Sequence, residues 1–314
     1  MVDWSKSAFL FPGQGSQVVG MGKDVAKAYP AARQLFERAD AYLGFALSAI
    51  CFEGPSEVLN DTINTQPALY VCSLALLAAL RTELPEATPR AVAGHSFGEF
   101  TALAAVDALD FEDGLRLVRE RGRLMQEAGK VSPGAMAALL ALEIEAVRAI
   151  CAQAAAEVNG ILVVANDNCP GQIVISGEDA ALERGLVLAK EAGARRAIKL
   201  AVSIAAHSPL MAPAAEAFAV AIHETRIKAP TAPVYANVSA MPLTAVADIQ
   251  QELEAQLTNP VRWRESMNAM IADGLEVFIE IGPKDVLSGL MKRITAENTT
   301  VAVNSIDTLR SFLN

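Results

Sequence analysis

The chain of 314 residues is long enough to bury a substantial core in one large domain or two smaller ones. Hydrophobic residues make up 52% and charged residues 20%, which excludes a disordered chain. With 36 acidic against 26 basic residues, the net charge of -10 argues against broad nucleic-acid binding. A local basic patch for an acidic partner remains compatible with this charge.

The sequence carries no signal for export or for a membrane. The N-terminus lacks a basic segment followed by a long apolar run, so we predict no secretory signal. The longest apolar stretch, residues 68–80, is too short for a membrane span and predicts a core helix. We expect a soluble, cytoplasmic protein with buried thiols rather than a zinc or redox site, because its cysteines form no C-x-x-C pair: Cys51, Cys72, Cys151 and Cys169.

The N-terminal segment predicts a strand followed by a glycine-rich loop. Residues 7–12, SAFLFP, form a short apolar run that leads into GQGSQVVGMG. Val18 stands where a dinucleotide fingerprint needs its last glycine, and the spacing does not fit a P-loop. We therefore expect a loop that presents backbone N–H groups. Helices are predicted to follow near 24–43 and 66–84.

The stretch AVAGHSFGEF, residues 91–100, places Ser96 between Gly94 and Gly98. The five-letter pattern G-x-S-x-G alone is weak, because chance produces it in roughly one in ten chains of this length. Its context is more specific, since an apolar strand precedes it and an Ala- and Leu-rich helix follows over 99–109. This strand–turn–helix pattern predicts a nucleophile elbow with Ser96 as the nucleophile.

The next predicted helix, 112–128, carries alternating arginines. Arg119, Arg121 and Arg123 cannot all lie on one helix face, so we expect at least one to point inward. Arg121 is the candidate, and a buried guanidinium needs an anionic partner such as a substrate carboxylate. An ordinary surface helix is the alternative on pattern alone.

The remaining elements predict a small domain inserted into a larger one. Residues 131–199 carry a βαββαβ pattern typical of ferredoxin-like domains. We expect an α/β fold in which 1–130 and 200–314 form an α/β-hydrolase-like parallel-sheet subdomain, 131–199 form a ferredoxin-like subdomain, and a cleft separates them. The elements predicted after the insertion are a helix to about 225, a strand at 232–239, a helix at 247–257, a further helix, a strand at 275–282 and a helix at 285–294.

A serine nucleophile needs a base, and the chain has three histidines. His95 adjoins Ser96 and leaves the turned backbone in another direction, while His223 is predicted to be structural on a surface helix. His207 is the best base candidate, although a plain loop residue is the alternative. No acidic residue has a setting that would mark it as the third member of a triad.

Eight segments of the chain occur in the order seen in one enzyme family. The resemblance covers residues 9–294 and rests on FPGQGSQ (11–17), TQPAL (65–69), GHSFGE (94–99), RERGRLMQEA (119–128), ANDNCPGQIVISG (165–177), AAHSPLM (205–211), NPVRW (259–263) and EIGP (280–283). The chain thus resembles malonyl-CoA:acyl carrier protein transacylases.

The resemblance implies a ping-pong acyl transfer from malonyl-CoA to holo acyl carrier protein, in fatty-acid or polyketide synthesis. Ser96 would be the nucleophile and His207 the base. The main-chain carbonyl of Gln256 would orient His207, and the backbone N–H groups of Gln14 and Phe97 would form the oxyanion hole. We expect no cofactor or metal, because coenzyme A enters as part of the substrate. We also expect a monomer, since nothing in the sequence suggests an obligate dimer.

The resemblance further implies how the acyl group is bound. Arg121 would hold the malonyl carboxylate, and Gln66, Asn166 and Ala206 would occupy pocket positions. Two residues depart from the family pattern. Phe97 replaces the usual leucine and would narrow the pocket. Ala206 matches neither the aromatic residue that accompanies malonyl in modular synthases nor the serine that accompanies methylmalonyl, which leaves the strictness of selection open.

Two rival functions remain at this point: an acyl hydrolase on the same scaffold and a catalytically silent docking protein for carrier domains. The retained Arg121 favours the transferase over the hydrolase, and an intact Ser96, His207 and Arg121 disfavour the silent protein. Carrier proteins are acidic, so docking on this acidic chain would need a local basic patch. The candidate clusters are Arg195, Arg196 and Lys199, or Lys284, Lys292 and Arg293.

Overall fold

The computed structural model describes residues 2–202 and 204–313. Its strands are β1 (Ser7–Phe11), β2 (Ala91–Gly94), β3 (Ala135–Leu140), β4 (Leu162–Cys169), β5 (Gln172–Gly177), β6 (Arg196–Lys199), β7 (Val234–Tyr235), β8 (Pro242–Leu243), β9 (Val277–Ile281) and β10 (Thr299–Val303). Its helices are α1 (Lys23–Ala28), α2 (Pro30–Leu43), α3 (Leu47–Glu53), α4 (Ser56–Asn60), α5 (Thr62–Glu83), α6 (Gly98–Ala105), α7 (Phe111–Val131), α8 (Ile144–Val158), α9 (Asp179–Glu191), α10 (Ala212–His223), α11 (Val246–Ala255), α12 (Trp263–Ala272), α13 (Val286–Ile294) and α14 (Ile306–Leu313), with short 3-10 turns at Trp4–Lys6 and Pro209–Met211.

The large sheet has the strand order β10-β9-β1-β2-β7-β8, and its pairs are parallel except for the edge pair β7–β8. Every residue of β1 and β2 is buried, as expected for parallel strands covered on both faces. The register pairs Phe11 at the end of β1 with Gly94 at the end of β2. The glycine-rich loop and the Ser96 turn therefore leave the sheet side by side, at the edge where open α/β sheets bind ligands.

The small sheet has the order β4-β5-β3-β6 and is antiparallel throughout. Helices α8 and α9 pack on it around a separate apolar core that includes Val147, Ile175 and Leu182. This subdomain occupies 135–199, between α7 and α10 of the large subdomain. The predicted α/β fold with an inserted ferredoxin-like unit is confirmed.

Several elements differ from the prediction. Helices α3, α4 and α14 and strand β10 were not predicted. The strand expected over 232–239 is reduced to β7, because the chain turns back into β8: the Ala236 N–H donates to the Met241 carbonyl oxygen, and Ala240 has a φ angle of +57°.

Helix α5 is longer than the apolar stretch 68–80 from which we argued that no segment is long enough to span a membrane. Its apolar run extends into a 22-residue helix that is long and apolar enough to cross a membrane, so the length argument is wrong. However, 83% of its apolar stretch is buried inside the protein, where it packs against α2 and α7. Burial, rather than length, makes α5 a core helix.

Candidate active site

Ser96 lies in a strained turn between β2 and α6. Its φ angle is +54°, in the left-handed region that residues with side chains rarely adopt. A Cβ on Gly94 would lie 2.0 Å from the backbone of Gly98, and a Cβ on Gly98 would lie 2.5 Å from the carbonyl oxygen of Phe11. Only glycine fits at both positions. The strained serine costs on the order of 1–3 kcal/mol, which the surrounding contacts must offset.

Two buried side chains hold the backbone of Ser96. Asn237 Oδ1 accepts a hydrogen bond from the Ser96 N–H (2.7 Å), and Asn237 Nδ2 donates to the carbonyl oxygen of Gly94 (2.7 Å). Gln256 Nε2 donates to the carbonyl oxygen of Ser96 (3.1 Å). Sequence reasoning missed Asn237 entirely, because the surrounding segment ANVSA carries no motif. It also assigned Gln256 only a main-chain role.

His207 lies between the serine and two carbonyl groups. Its Nε2 is 2.8 Å from Ser96 Oγ, and its Nδ1 is 3.0 Å from the carbonyl oxygen of Gln256 and 3.2 Å from that of Asn259. Because carbonyl oxygens only accept, Nδ1 carries the proton and leaves Nε2 free to accept one from the serine. A main-chain carbonyl thus stands where a triad would have a carboxylate.

Burial keeps the His207 imidazole neutral. Burial and, after it, the nearby positive charge of Arg121 lower the pKa of His207 to about 3, against the two carbonyl hydrogen bonds. A neutral imidazole at physiological pH is the form that can take a proton from Ser96.

Arg121 is the inward arginine of α7, with an exposed fraction of 1%. It lies on the apolar face of the helix, four residues before the buried Met125. Nη2 donates to Ser96 Oγ (3.2 Å), Nε donates to Gln256 Oε1 (3.2 Å), and Nη1 contacts Gln66 Oε1 (3.2 Å) and Met125 Sδ (3.1 Å). Among the described residues these partners are all neutral. Burial lowers the pKa of Arg121 to about 9, and the Glu99 carboxyl opposes that shift.

A cavity of about 220 Å³ opens onto Ser96, His207 and Arg121 between the two subdomains. At about 30 Å³ per water molecule, this space would hold roughly seven waters, enough for a short acyl group and the thioester beside it. Its other lining residues are mainly small or apolar: Gly13, Gln14, Ser16, His95, Phe97, Met125, Met136, Asn166, Asn168, Gln172, Val174, Leu200, Val202, Ile204, Ala206, Val286, Leu287 and Leu290.

The other predicted site residues divide between the cavity wall and the layer behind it. Asn166 and Ala206 lie on the wall, whereas Gln66 is fully buried behind Arg121. Gln14 and Phe97 also line the cavity, and in the described part of the chain neither backbone N–H donates to a protein acceptor. Both amides are therefore available to a ligand atom.

The side chains of the other two histidines have partners other than Ser96. His95 Nε2 is 2.8 Å from Asn168 Oδ1, and the His95 ring packs against that of Trp263, with centroids 5.4 Å apart. His223 is an exposed residue that pairs with Glu254. Neither is placed to accept the Ser96 proton.

The two basic clusters differ in how many of their charges are already engaged. Lys199 pairs with Asp179 and Glu183, whereas Arg195 and Arg196 beside it are exposed. In the second cluster, Lys284 donates to the Gly15 carbonyl oxygen, and Arg293 donates to Gln172 and to the Pro170 carbonyl oxygen. Gln172 lines the cavity, so this second cluster adjoins its mouth.

The fold and the site define a class of protein. A parallel sheet presents a strained serine at the carboxyl end of a central strand, and a neutral histidine and two unpaired amides face it. This is the arrangement of an α/β enzyme that passes acyl groups through a serine.

Comparison with known proteins identifies the family. A family model described as an acyl transferase domain matches residues 8–308. The malonyl CoA-acyl carrier protein transacylase of Bacillus subtilis is 48% identical over 305 residues, 97% of this chain and 95% of its own length. The chain therefore belongs to the acyl transferase domain family and, within it, to the malonyl-CoA:acyl carrier protein transacylases, as the sequence resemblance predicted.

Solved structures agree with this assignment. The crystal structure of an acyl carrier protein S-malonyltransferase from Vibrio cholerae is similar with a TM-score of 0.92 and 43% identity, covering 98% of this chain and 99% of that one. A type II PKS acyl-carrier protein in complex with its malonyl-transacylase is similar with a TM-score of 0.93 and 41% identity, over 98% and 99%.

Proposed function

We propose that this chain transfers the malonyl group from malonyl-CoA to the phosphopantetheine thiol of acyl carrier protein, through a malonyl ester on Ser96. The names of the relatives support this substrate pair. The observation that carries the proposal is the buried guanidinium of Arg121, which has neutral partners and reaches Ser96 Oγ. A buried positive charge of this kind favours an acyl group that brings its own carboxylate.

The first half-reaction forms the ester. Ser96 Oγ attacks the thioester carbonyl while its proton moves to His207 Nε2. The Gln256 carbonyl stabilises the imidazolium by accepting from Nδ1. The negative charge on the thioester oxygen is met by the amides of Gln14 and Phe97, and losing one such donor typically costs about 10²- to 10³-fold in rate. The carbon–sulfur bond then breaks, and coenzyme A leaves with the proton from His207.

The second half-reaction runs the same steps in reverse. The carrier thiol gives its proton to His207 Nε2 and attacks the ester carbonyl. The same two backbone N–H groups donate hydrogen bonds to the negatively charged carbonyl oxygen. Ser96 recovers its proton as the malonyl thioester of the carrier leaves. A neutral imidazole is needed at the start of both halves, which fits the lowered pKa of His207.

Two residues that line the cavity, Ala206 and Phe97, affect which acyl groups fit beside Ser96. The small Ala206 leaves space near the base, whereas the Phe97 side chain is buried at the start of α6 and keeps its amide at the cavity. We infer a site that takes malonyl and tolerates a methyl branch. Gln66 supports Arg121 from behind, and Asn166 contacts the substrate from the small subdomain.

The proposal extends to the setting of the reaction. We place it in the cytoplasm, in fatty-acid or polyketide synthesis, where the four buried cysteines would stay reduced. We propose that a monomer carries it out with no metal or cofactor.

An isotope-exchange experiment tests the covalent intermediate. Enzyme is mixed with malonyl-CoA and labelled free coenzyme A, without carrier protein. If malonyl forms an ester on Ser96, the thiol of labelled coenzyme A attacks that ester, and label appears in malonyl-CoA. The Ser96→Ala variant should show no exchange. Absence of exchange in the unaltered enzyme would indicate direct transfer, and release of malonate in place of exchange would indicate a hydrolase.

A further inference from the structure

Glu99 is a buried carboxyl group that the proposed reaction does not use. It is the second residue of α6, and its exposed fraction is 0%. Burying a carboxyl group is costly unless its oxygens are hydrogen-bonded. Both oxygens have partners: Oε1 accepts from the backbone N–H of Asn237 (3.1 Å), and Oε2 accepts a short hydrogen bond from Gln256 Nε2.

These two partners are the residues that hold the strained Ser96 backbone. Asn237 binds the Ser96 N–H through its side chain, and Gln256 binds the Ser96 carbonyl oxygen. The backbone N–H of Glu99 also donates to that carbonyl oxygen (3.0 Å). The Glu99 carboxyl group therefore binds both of the residues that hold the Ser96 turn, Asn237 at the Ser96 N–H and Gln256 at the Ser96 carbonyl oxygen.

Gln256 extends the connection to the rest of the site. Its side-chain oxygen accepts from Arg121 Nε, and its main-chain oxygen accepts from His207 Nδ1. Because a guanidinium only donates, the Gln256 amide must turn its oxygen to Arg121 and its NH₂ to Ser96 and Glu99. Glu99 must then accept. Burial and, after it, the nearby Glu252 carboxyl raise the pKa of Glu99, against the hydrogen bonds donated by Gln256 and Asn237.

We propose that Glu99 is a positioning residue that fixes the Ser96 turn through Gln256 and Asn237 and thereby sets the rate of serine acylation. This inference rests on the proposed role of Ser96 as the nucleophile. The carboxyl group touches neither substrate nor reacting atoms, so it acts on them through the geometry of Ser96 and Gln256. Its charge also favours the protonated form of Arg121, and a neutral probe separates this effect from the binding of a substrate carboxylate.

The Glu99→Gln variant tests the proposal with almost no change in shape. An amide offers one accepting oxygen, so its NH₂ must face a donor on either Gln256 or Asn237. We expect acylation of Ser96 to slow by about tenfold to a hundredfold, the range typical of leaving a buried donor unpaired. Glu280→Gln is the matched control, because Glu280 is also a fully buried carboxyl but accepts from the backbone N–H groups of Leu287 and Ser288 and has no electrostatic coupling to Glu99.

The probe is a small neutral fluorophosphonate, with which Ser96 Oγ displaces fluoride from phosphorus while its proton passes to His207. Intact mass gives two readouts: the rate constant at saturating probe and the final fraction of protein labelled. A merely structural role would lower the labelled fraction and leave the rate constant unchanged. For Glu99→Gln we expect a lowered rate constant and an unchanged labelled fraction, and for Glu280→Gln a wild-type rate constant.

A double-mutant cycle tests the route of the effect. Gln256→Ala removes the side chain and keeps the carbonyl that faces His207. We expect Gln256→Ala to slow labelling. In a protein that already carries Gln256→Ala, adding Glu99→Gln should lower the rate constant by less than about threefold, because only the contact between Glu99 and Asn237 is left to lose. A wild-type rate constant in Glu99→Gln or in Gln256→Ala, or fully multiplicative effects, would overturn the inference. Failure of the unaltered enzyme to be labelled at Ser96 would instead overturn the proposed nucleophile.

Discussion

Removing the Arg121 guanidinium is expected to change which acyl group the enzyme accepts. Breaking a buried ion pair by removing one partner costs about 3–5 kcal/mol, or roughly a hundredfold to a few thousandfold in rate. Arg121→Ala should lower kcat/KM for malonyl-CoA by that factor. Acetyl-CoA has no carboxylate, so its rate should change only through the general effect of losing the hydrogen bonds to Ser96, Gln66 and Gln256.

The assay is single-turnover loading of the serine, followed by intact mass with malonyl-CoA and with acetyl-CoA. The ratio of the two rates is the informative quantity, because general damage to the site affects both substrates and cancels. Arg119→Ala is the matched control: its guanidinium lies over the Phe45 ring, 4.5 Å from the centroid, and should leave the ratio unchanged. An equal loss with both substrates in Arg121→Ala would refute the role of the charge.

Three further predictions concern the pKa of His207, the packing of Gly94 and the docking of carrier protein. Because burial and the Arg121 charge lower the pKa of His207 to about 3, protonation should inactivate the base only at low pH. Fluorophosphonate labelling of Glu99→Gln, which lacks the other carboxyl with a shifted pKa at the serine turn, should therefore stay nearly flat between about pH 5 and 8; an acid limb near 6.5 would contradict this. Gly94→Ala should lower the free energy of unfolding by about 1–3 kcal/mol and with it the Tm, since its Cβ would overlap backbone, whereas Gly289→Ala, at an exposed position of α13 where a Cβ meets no atom within 4 Å, should not. Reversing the charges of Arg195 and Arg196 should raise the KM for carrier protein only; equal effects on malonyl-CoA would exclude them as a docking site.

The parts of the site that are built from consecutive residues, the Ser96 turn and the inward arginine of α7, could be predicted from the sequence. The apolar run of β2, the two glycines and the helix that follows are consecutive, so they predict the Ser96 turn directly. The three alternating arginines of α7 likewise required one to point inward, and Arg121 does.

Contacts between distant segments could not be predicted in this way. Asn237 lies 141 residues after Ser96, inside the segment 232–239 that the sequence predicts as a plain strand. Its role appears only when β7 pairs with β2. Glu99 is different, because a charged residue in the apolar stretch FGEFTALAA was itself a sign of a buried carboxyl group. Strand β10 was missed although TTVAV has strand propensity, because its position is set by pairing with β9.

The most direct test of the account is intact mass after brief mixing with malonyl-CoA, followed by addition of holo acyl carrier protein. We predict a malonyl adduct that persists in water, is absent from Ser96→Ala, and moves to the carrier when the carrier is added. Loss of the adduct to water before the carrier is added would contradict the transferase and identify a hydrolase instead.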